Sequence, residues 1–230
     1  MFKGTLGRLM IGDWGDQLDV RFHLAERLAR LNGKRVLDIA CGPGLLLAAL
    51  PDSNEKYGID TNPAVLKKAR QLNPRASLKR ASMFRLPFES GFFDVIVMAN
   101  VMPNVDFDCT GNARTNQLKA IGEAVRVLKP GGILFVTAPT AVWFGLFRAK
   151  GKKRLEYADL DQLLKPSFTY EIKGWNPLPP FPYFLPARFL KRIPGWFVFL
   201  EWLCEKGFFN KWGKFFYTEA VKTVKHKCKG

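Results

Sequence analysis

The pattern with the clearest chemical use lies between residues 36 and 60. Val36-Leu37-Asp38-Ile39-Ala40-Cys41-Gly42-Pro43-Gly44 reads as a buried strand that ends in a glycine-bearing turn. Glycine lets a ligand approach the backbone closely. A helix starting at Leu45 would turn unpaired N–H groups toward the same space. Such a turn can hold a carboxylate, while a turn carbonyl such as that of Ala40 can accept from an amino group. Asp38, at the strand end, can help through water or brace the turn. Asp60 ends a second strand, where an acidic side chain can accept from both hydroxyls of a ribose. The turn departs from full G-x-G-x-x-G, since Leu47 stands at the third glycine position, and it has no Walker-type lysine. A nucleoside without phosphates fits these residues better than a dinucleotide or a nucleoside triphosphate.

The elements that must position these groups follow from periodicity. Residues 16–31 repeat apolar side chains at helical spacing and stop at Asn32-Gly33. Strands are expected at 35–40, 57–60, 77–81, 93–99 and 133–137, with helices from Leu45 to Leu50, from Pro63 to about Leu72, and over 116–128. The last of these helices is stopped by Lys129-Pro130-Gly131-Gly132. Beyond residue 140 a helix at 157–164 and strands at 168–175 and 215–224 complete the set. Strands alternating with helices imply a mostly parallel sheet, here of seven strands, with helices on both faces.

Four segments in order carry a resemblance: Val36 to Gly44; Gly58-Ile59-Asp60; Leu86-Pro87-Phe88 followed by Phe92-Phe93-Asp94-Val95-Ile96; and Val127-Leu128-Lys129-Pro130-Gly131-Gly132. Together they resemble the class I methyltransferases that use S-adenosylmethionine (SAM), in the branch that includes the quinone-biosynthesis enzymes (methyltransferase type 11). The resemblance covers roughly residues 30–140. It implies a Rossmann-like α/β fold, SAM as cofactor and methyl transfer as the activity. It places Asp38, Ala40, Gly42 and Gly44 around the methionine part of SAM and Asp60 at the ribose. Thr61, Ser82 and Met83 fall beside the adenine, and Asn100 lines the cofactor and the methyl-transfer cleft. Ser82 departs from the acidic residue common at its position. Asp94 and the Lys129 to Gly132 run are landmarks expected to shape turns.

A general base is needed only where the acceptor must lose a proton. The candidates are His23, on the first helix, which reads as a packed or surface histidine before a base, and Asp106 and Asp108, in the loop after the fourth strand, which can equally be helix or turn caps. Asn100-Val101-Met102-Pro103 is not the Asn-Pro-Pro-Tyr type motif of amino-group DNA methyltransferases. The four cysteines are widely spaced and give no metal-ligand pattern and no disulfide framework.

Composition adds a partner question. The formal net charge is +16, divided as +6 over residues 1–140 and +10 over 141–230. Such a field favours anionic partners. Residues 168–217 hold 17 of the 31 aromatics, and the Pro-rich then aromatic stretch 176–212 reads as an insert. Aromatics among lysines and arginines suit the headgroup layer of a membrane, a lid over an apolar substrate, or a packed interface. The single domain 1–230 is therefore read as an N-terminal helical cap (1–32), a SAM-binding core (33–140) and a C-terminal substrate or lid region (141–230). The expected acceptor is a small, apolar or lipid-linked molecule, with an anionic membrane surface as a further partner through residues 176–217. An RNA-modifying enzyme and a non-catalytic SAM-binding partner are the alternatives. The expected location is the cytoplasm or the membrane periphery, since no signal peptide or spanning segment is read.

Overall fold

A computed structural model describes residues 20–102, 112–140, 142–143, 147–148, 155–175, 202–208, 213 and 215–224. Asp106 and Asp108, together with most of the 176–212 insert, lie outside the described residues.

In chain order the elements are α1 (Val20–Leu28), β1 (Arg35–Ile39), α2 (Leu45–Ala49), β2 (Glu55–Asp60), α3 (Pro63–Leu72), β3 (Ser77–Arg80) and β4 (Phe93–Ala99). They continue as α4 (Ala113–Val127), β5 (Leu128–Pro139), the two-residue strands β6 (Val142–Trp143) and β7 (Phe147–Arg148), α5 (Tyr157–Leu164), β8 (Phe168–Trp175) and β9 (Phe215–Lys222). Seven strands form one sheet in the order β3-β2-β1-β4-β5-β9-β8. β9 alone runs antiparallel to its two neighbours in that sheet. β6 and β7 pair as a small separate hairpin.

β1 and β4 sit centrally and are buried on both faces, which is why they read as near-continuous apolar runs broken only by Arg35, Asp38 and Asp94. Leu37, Ile39, Ile96, Met98, Leu134 and Val136 face α4 and α5 in one core. Val36, Val95, Val97 and Phe135 face α1 and α2 in the other. The chain moves outward from β1 through β2 to β3, then returns to β4 on the other side of β1. That reversal opens a crevice at the carboxyl ends of β1 and β4, where ligands bind in open α/β sheets.

Several boundaries differ from the sequence reading, each for a physical reason. α4 starts at Ala113, three residues before the expected 116, because the Asn112 side chain accepts from the Arg114 N–H and caps the helix there. The helix ends at Val127, next to the expected stop, but Lys129 to Gly132 also belong to β5, which starts at Leu128 and not at 133. Leu128 pairs with Phe93, and a register shift follows before Ile133 pairs with Val95. Gly131, at φ +73°, supplies the left-handed residue of this irregularity. The helix expected over 16–31 is described from Val20 and ends at Leu28.

At the far end of β4 from the crevice, the Asp94 carboxylate accepts from the Arg35 N–H (2.9 Å) and from Lys129 (2.6 Å). Burial alone would raise this carboxyl, but the two donors hold it below its usual value. Asp94 and Lys129 thus fasten strand ends, as their expected turn-shaping role requires.

Candidate functional site

The turn after β1 is built from left-handed backbone. Ala40, Gly42 and Gly44 have φ of +58°, +53° and +80°. The Cys41 N–H donates to the Ile59 carbonyl, tying the turn to β2 (2.9 Å). The Gly42 N–H donates to Asp60 Oδ2 (3.0 Å), and the Asn62 N–H to Asp60 Oδ1 (2.9 Å). Asp60 therefore holds both the glycine turn and the start of α3.

Gly44 is required by space as well as conformation. A Cβ there would lie 2.6 Å from Asn73 Nδ2 and 3.2 Å from the Ala69 Cβ. The buried Asn73 amide donates to the Gly44 carbonyl (2.9 Å) and to the Ala69 carbonyl (3.3 Å). The sequence reading missed Asn73. Gly42, by contrast, faces open space, so a ligand can approach it. The following helix, α2, is only one turn long, so its dipole adds little and the turn's own N–H groups are the anion donors.

Asp38 is 3% exposed and lies behind this turn. No hydrogen bond to its carboxyl occurs among the described residues. Burial, with the neighbouring Asp60 charge second, pushes that carboxyl up to about 8. A buried carboxyl without donors is costly unless it stays protonated or meets a cation. An ammonium at the turn would supply that cation. The site thus fits a ligand with a carboxylate for the turn, an ammonium near Asp38 and a ribose near Asp60. Burial also raises the Cys41 thiol, which keeps it un-ionised.

The remaining candidates follow the same rim. Ala81, at the end of β3, donates its N–H to the Asp60 carbonyl (3.2 Å), which sets Ser82 and Met83 beside the end of β2. Ser82 Oγ accepts from the Phe84 N–H (3.3 Å), and Met83 is half-buried against the α4-side core. Thr61 is exposed and its carbonyl accepts from Arg80 (3.0 Å). Asn100, just past β4, has φ +57°. Its N–H donates to the Thr137 carbonyl (2.8 Å), and the Thr137 hydroxyl donates to Asn100 Oδ1 (3.2 Å). Thr137, fully buried on β5, was not singled out from sequence; only its place in a strand end could have marked it.

His23 is not among these groups. It sits between Trp175 and Tyr217, at ring distances of 4.2 and 4.7 Å, with Nδ1 3.9 Å from Glu205. It lines a cavity of about 440 Å³ with Arg27, Glu219 and Lys206, over the β8–β9 side of the sheet. β9 is three strands from β1, or roughly 14 Å at the usual strand spacing. Arg27 forms a two-pronged pair with Glu219 there (2.7 and 2.9 Å). Among the described residues no group of three or more side chains could hold a metal, and no helix is long and apolar enough to cross a membrane.

A seven-stranded sheet in this order, with a glycine turn and an acidic β2 end at the carboxyl ends of its strands, defines a Rossmann-like α/β fold with a nucleoside-type site. Residues 37–136 match the family model described as a methyltransferase domain. The chain is 31% identical over 159 residues to an uncharacterized methyltransferase of Synechocystis sp., covering 63% of this chain and 71% of that one. It is 28% identical over 126 residues to a demethylmenaquinone methyltransferase of Renibacterium salmoninarum, covering 54% and 49%. The solved N-methyltransferase NodS of Bradyrhizobium japonicum, in complex with S-adenosyl-L-homocysteine, superposes with a TM-score of 0.62 over 91% of this chain and 89% of its own at 16% identity, a likeness of fold. Beyond the Synechocystis protein, the chain spans about half the length of the next curated relatives it matches. The chain belongs to the SAM-dependent methyltransferase family.

Proposed function

We propose that the protein moves the SAM methyl group to a small, apolar or lipid-linked acceptor at a membrane surface. The observation that carries this reading is the exposure of Trp202 and Phe208, at 47% and 66%, beside the exposed Lys206. Large aromatics left in solvent next to a cation suit a headgroup layer or an apolar ligand. The demethylmenaquinone relative adds support, since its acceptor is a quinone by name.

In this reading the turn at Ala40, Gly42 and Gly44 holds the methionine end of SAM, with Asp38 facing its ammonium. Asp60 takes the ribose, Thr61, Ser82 and Met83 border the adenine, and Asn100 lines the transfer cleft. Bound SAM supplies an electrophilic methyl on a sulfonium. The chain's own residues orient the reactants and exclude water, which is most of what an in-line displacement asks of a protein. Thr137 holds the Asn100 amide in one orientation through its hydroxyl.

The test is incubation of the full chain with methyl-labelled SAM and a fractionated extract containing membranes. Label in an extractable lipid or quinone supports the reading. Label confined to RNA or to protein overturns it.

A further inference from the structure

Between residues 61 and 88 the chain has seven Lys or Arg and no Asp or Glu. This stretch forms α3, the edge strand β3 and the turn after it. α3 buries Leu66 and Ala69 and turns Lys67, Lys68 and Arg70 to solvent. None of the three makes an ion pair among the described residues, whereas Arg27, Arg35, Lys56 and Arg126 all do. Lys67 and Arg70 are three apart on one helix, the spacing at which like charges repel. A repulsive cluster that the protein leaves uncompensated attracts anions to this face.

The position of this cluster says which anion. Leu66 of α3 and Cys204 belong to one hydrophobic cluster, together with residues of α1 and α2. The α3 cations and the segment carrying Trp202, Lys206 and Phe208 thus cover the same side of the sheet. One end of that layer offers charge and the other offers exposed rings, the two parts of an interfacial membrane contact. A single-stranded nucleic acid would need stacking platforms beside the cations. The aromatics of the basic stretch, Phe84 and Phe88, are part-buried instead, and Lys79 already lies over the Phe88 ring at 5.0 Å.

We propose that the outer face of α3, through Lys67, Lys68 and Arg70, docks on an anionic lipid bilayer together with Trp202 and Phe208. The choice of partner rests on the lipid-linked reading above; the site itself is separate from the cofactor crevice.

Vesicle flotation of the full chain tests this, with phosphatidylcholine alone and with about 30% phosphatidylglycerol added, a content that gives the surface its negative potential. The chain is expected to float with the anionic vesicles and to leave them at about 0.5 M salt, where surface charge is screened. The triple variant Lys67→Gln, Lys68→Gln, Arg70→Gln is expected to lose about a hundredfold in partitioning, with SAM affinity unchanged as the control for folding. Trp202→Ala with Phe208→Ala is expected to lower partitioning on its own. Equal flotation with neutral and anionic vesicles, or wild-type partitioning by the triple variant, overturns the proposal. So does a triple variant that keeps its vesicles but loses binding to single-stranded RNA. Anionic-vesicle binding without any labelled lipid product supports the docking face while removing the acceptor reading, so the two fail separately.

Discussion

The Gly42 N–H and the Asp60 carboxylate are hydrogen-bonded at 3.0 Å, so the glycine turn of β1 and the acidic end of β2 form one unit. The other oxygen of Asp60 is held by the Asn62 N–H. Asp60→Ala should therefore weaken SAM twice over, by loss of the ribose acceptor and by release of the turn. Hydrogen bonds to charged groups contribute about 1.5–3 kcal/mol each, so calorimetric titration should show an affinity loss of at least about tenfold. Asp60→Asn keeps one oxygen and should lose less.

Asp38 gives a pH signature. Its folded carboxyl is raised from 3.8 to about 8, so between those values the folded state holds a proton that the unfolded state has lost. Stability of the ligand-free protein should fall as pH rises through that window. Asp38→Asn should flatten the fall in a series of thermal melts. A ligand ammonium beside Asp38 favours the ionised form. SAM binding at pH 7 should then release a proton, seen as a dependence of binding heat on buffer ionisation enthalpy, and Asp38→Asn should show none.

Ala40 occupies left-handed backbone at φ +58°. That conformation costs an L-residue about 1–2 kcal/mol, offset in part by the larger entropy glycine loses on folding. Ala40→Gly should raise stability by up to about 1 kcal/mol, or about 2–4 °C in Tm for a chain of this size. An unchanged or lower Tm would show that the turn is not strained at this position.

Asn73 closes the turn from behind. Its 5% exposed amide reaches both the Gly44 and Ala69 carbonyls. Asn73→Ala removes one of two donors at each acceptor, since the Ala48 N–H (3.0 Å) still reaches the Gly44 carbonyl and the Asn73 backbone N–H (2.8 Å) still reaches that of Ala69. It should cost about 0.5–1.5 kcal/mol in chemical denaturation. A smaller loss of SAM affinity should accompany it, since Gly44 keeps its backbone ties to Cys41 and Ala48 but loses the one to α3.

The sheet strands were legible because β1 and β4 are buried on both faces and leave unmistakable apolar runs. The glycine turn and Asp60 were legible because a short strand followed by small residues has few other uses. What escaped was long-range. Asn73 meets Gly44 from 29 residues away, and Arg27 meets Glu219 from 192 away. No local pattern encodes such pairs. Helix α4 starts early because a cap outweighs apolar periodicity at Asn112. Lys129 to Gly132 was legible as the stop of α4, which ends at Val127, but not as the start of β5, because the Lys129 contact with Asp94 that holds it against the sheet is long-range. His23 reads as a packed or surface histidine before a base, and its ring lies between Trp175 and Tyr217, two contacts no local pattern encodes.

The reversed strand β9 has a consequence for biosynthesis. It is made after β8, yet it lies between β5 and β8 and pairs with both. A nascent chain that has emerged through residue 175 would hold β8 with no neighbour and β5 with one bare edge. Both edges must wait until residues 215–222 leave the ribosome and slot between them. During that interval exposed strand edges invite pairing with other chains. Release of a truncated chain lacking β9 should thus give aggregation rather than a smaller folded core.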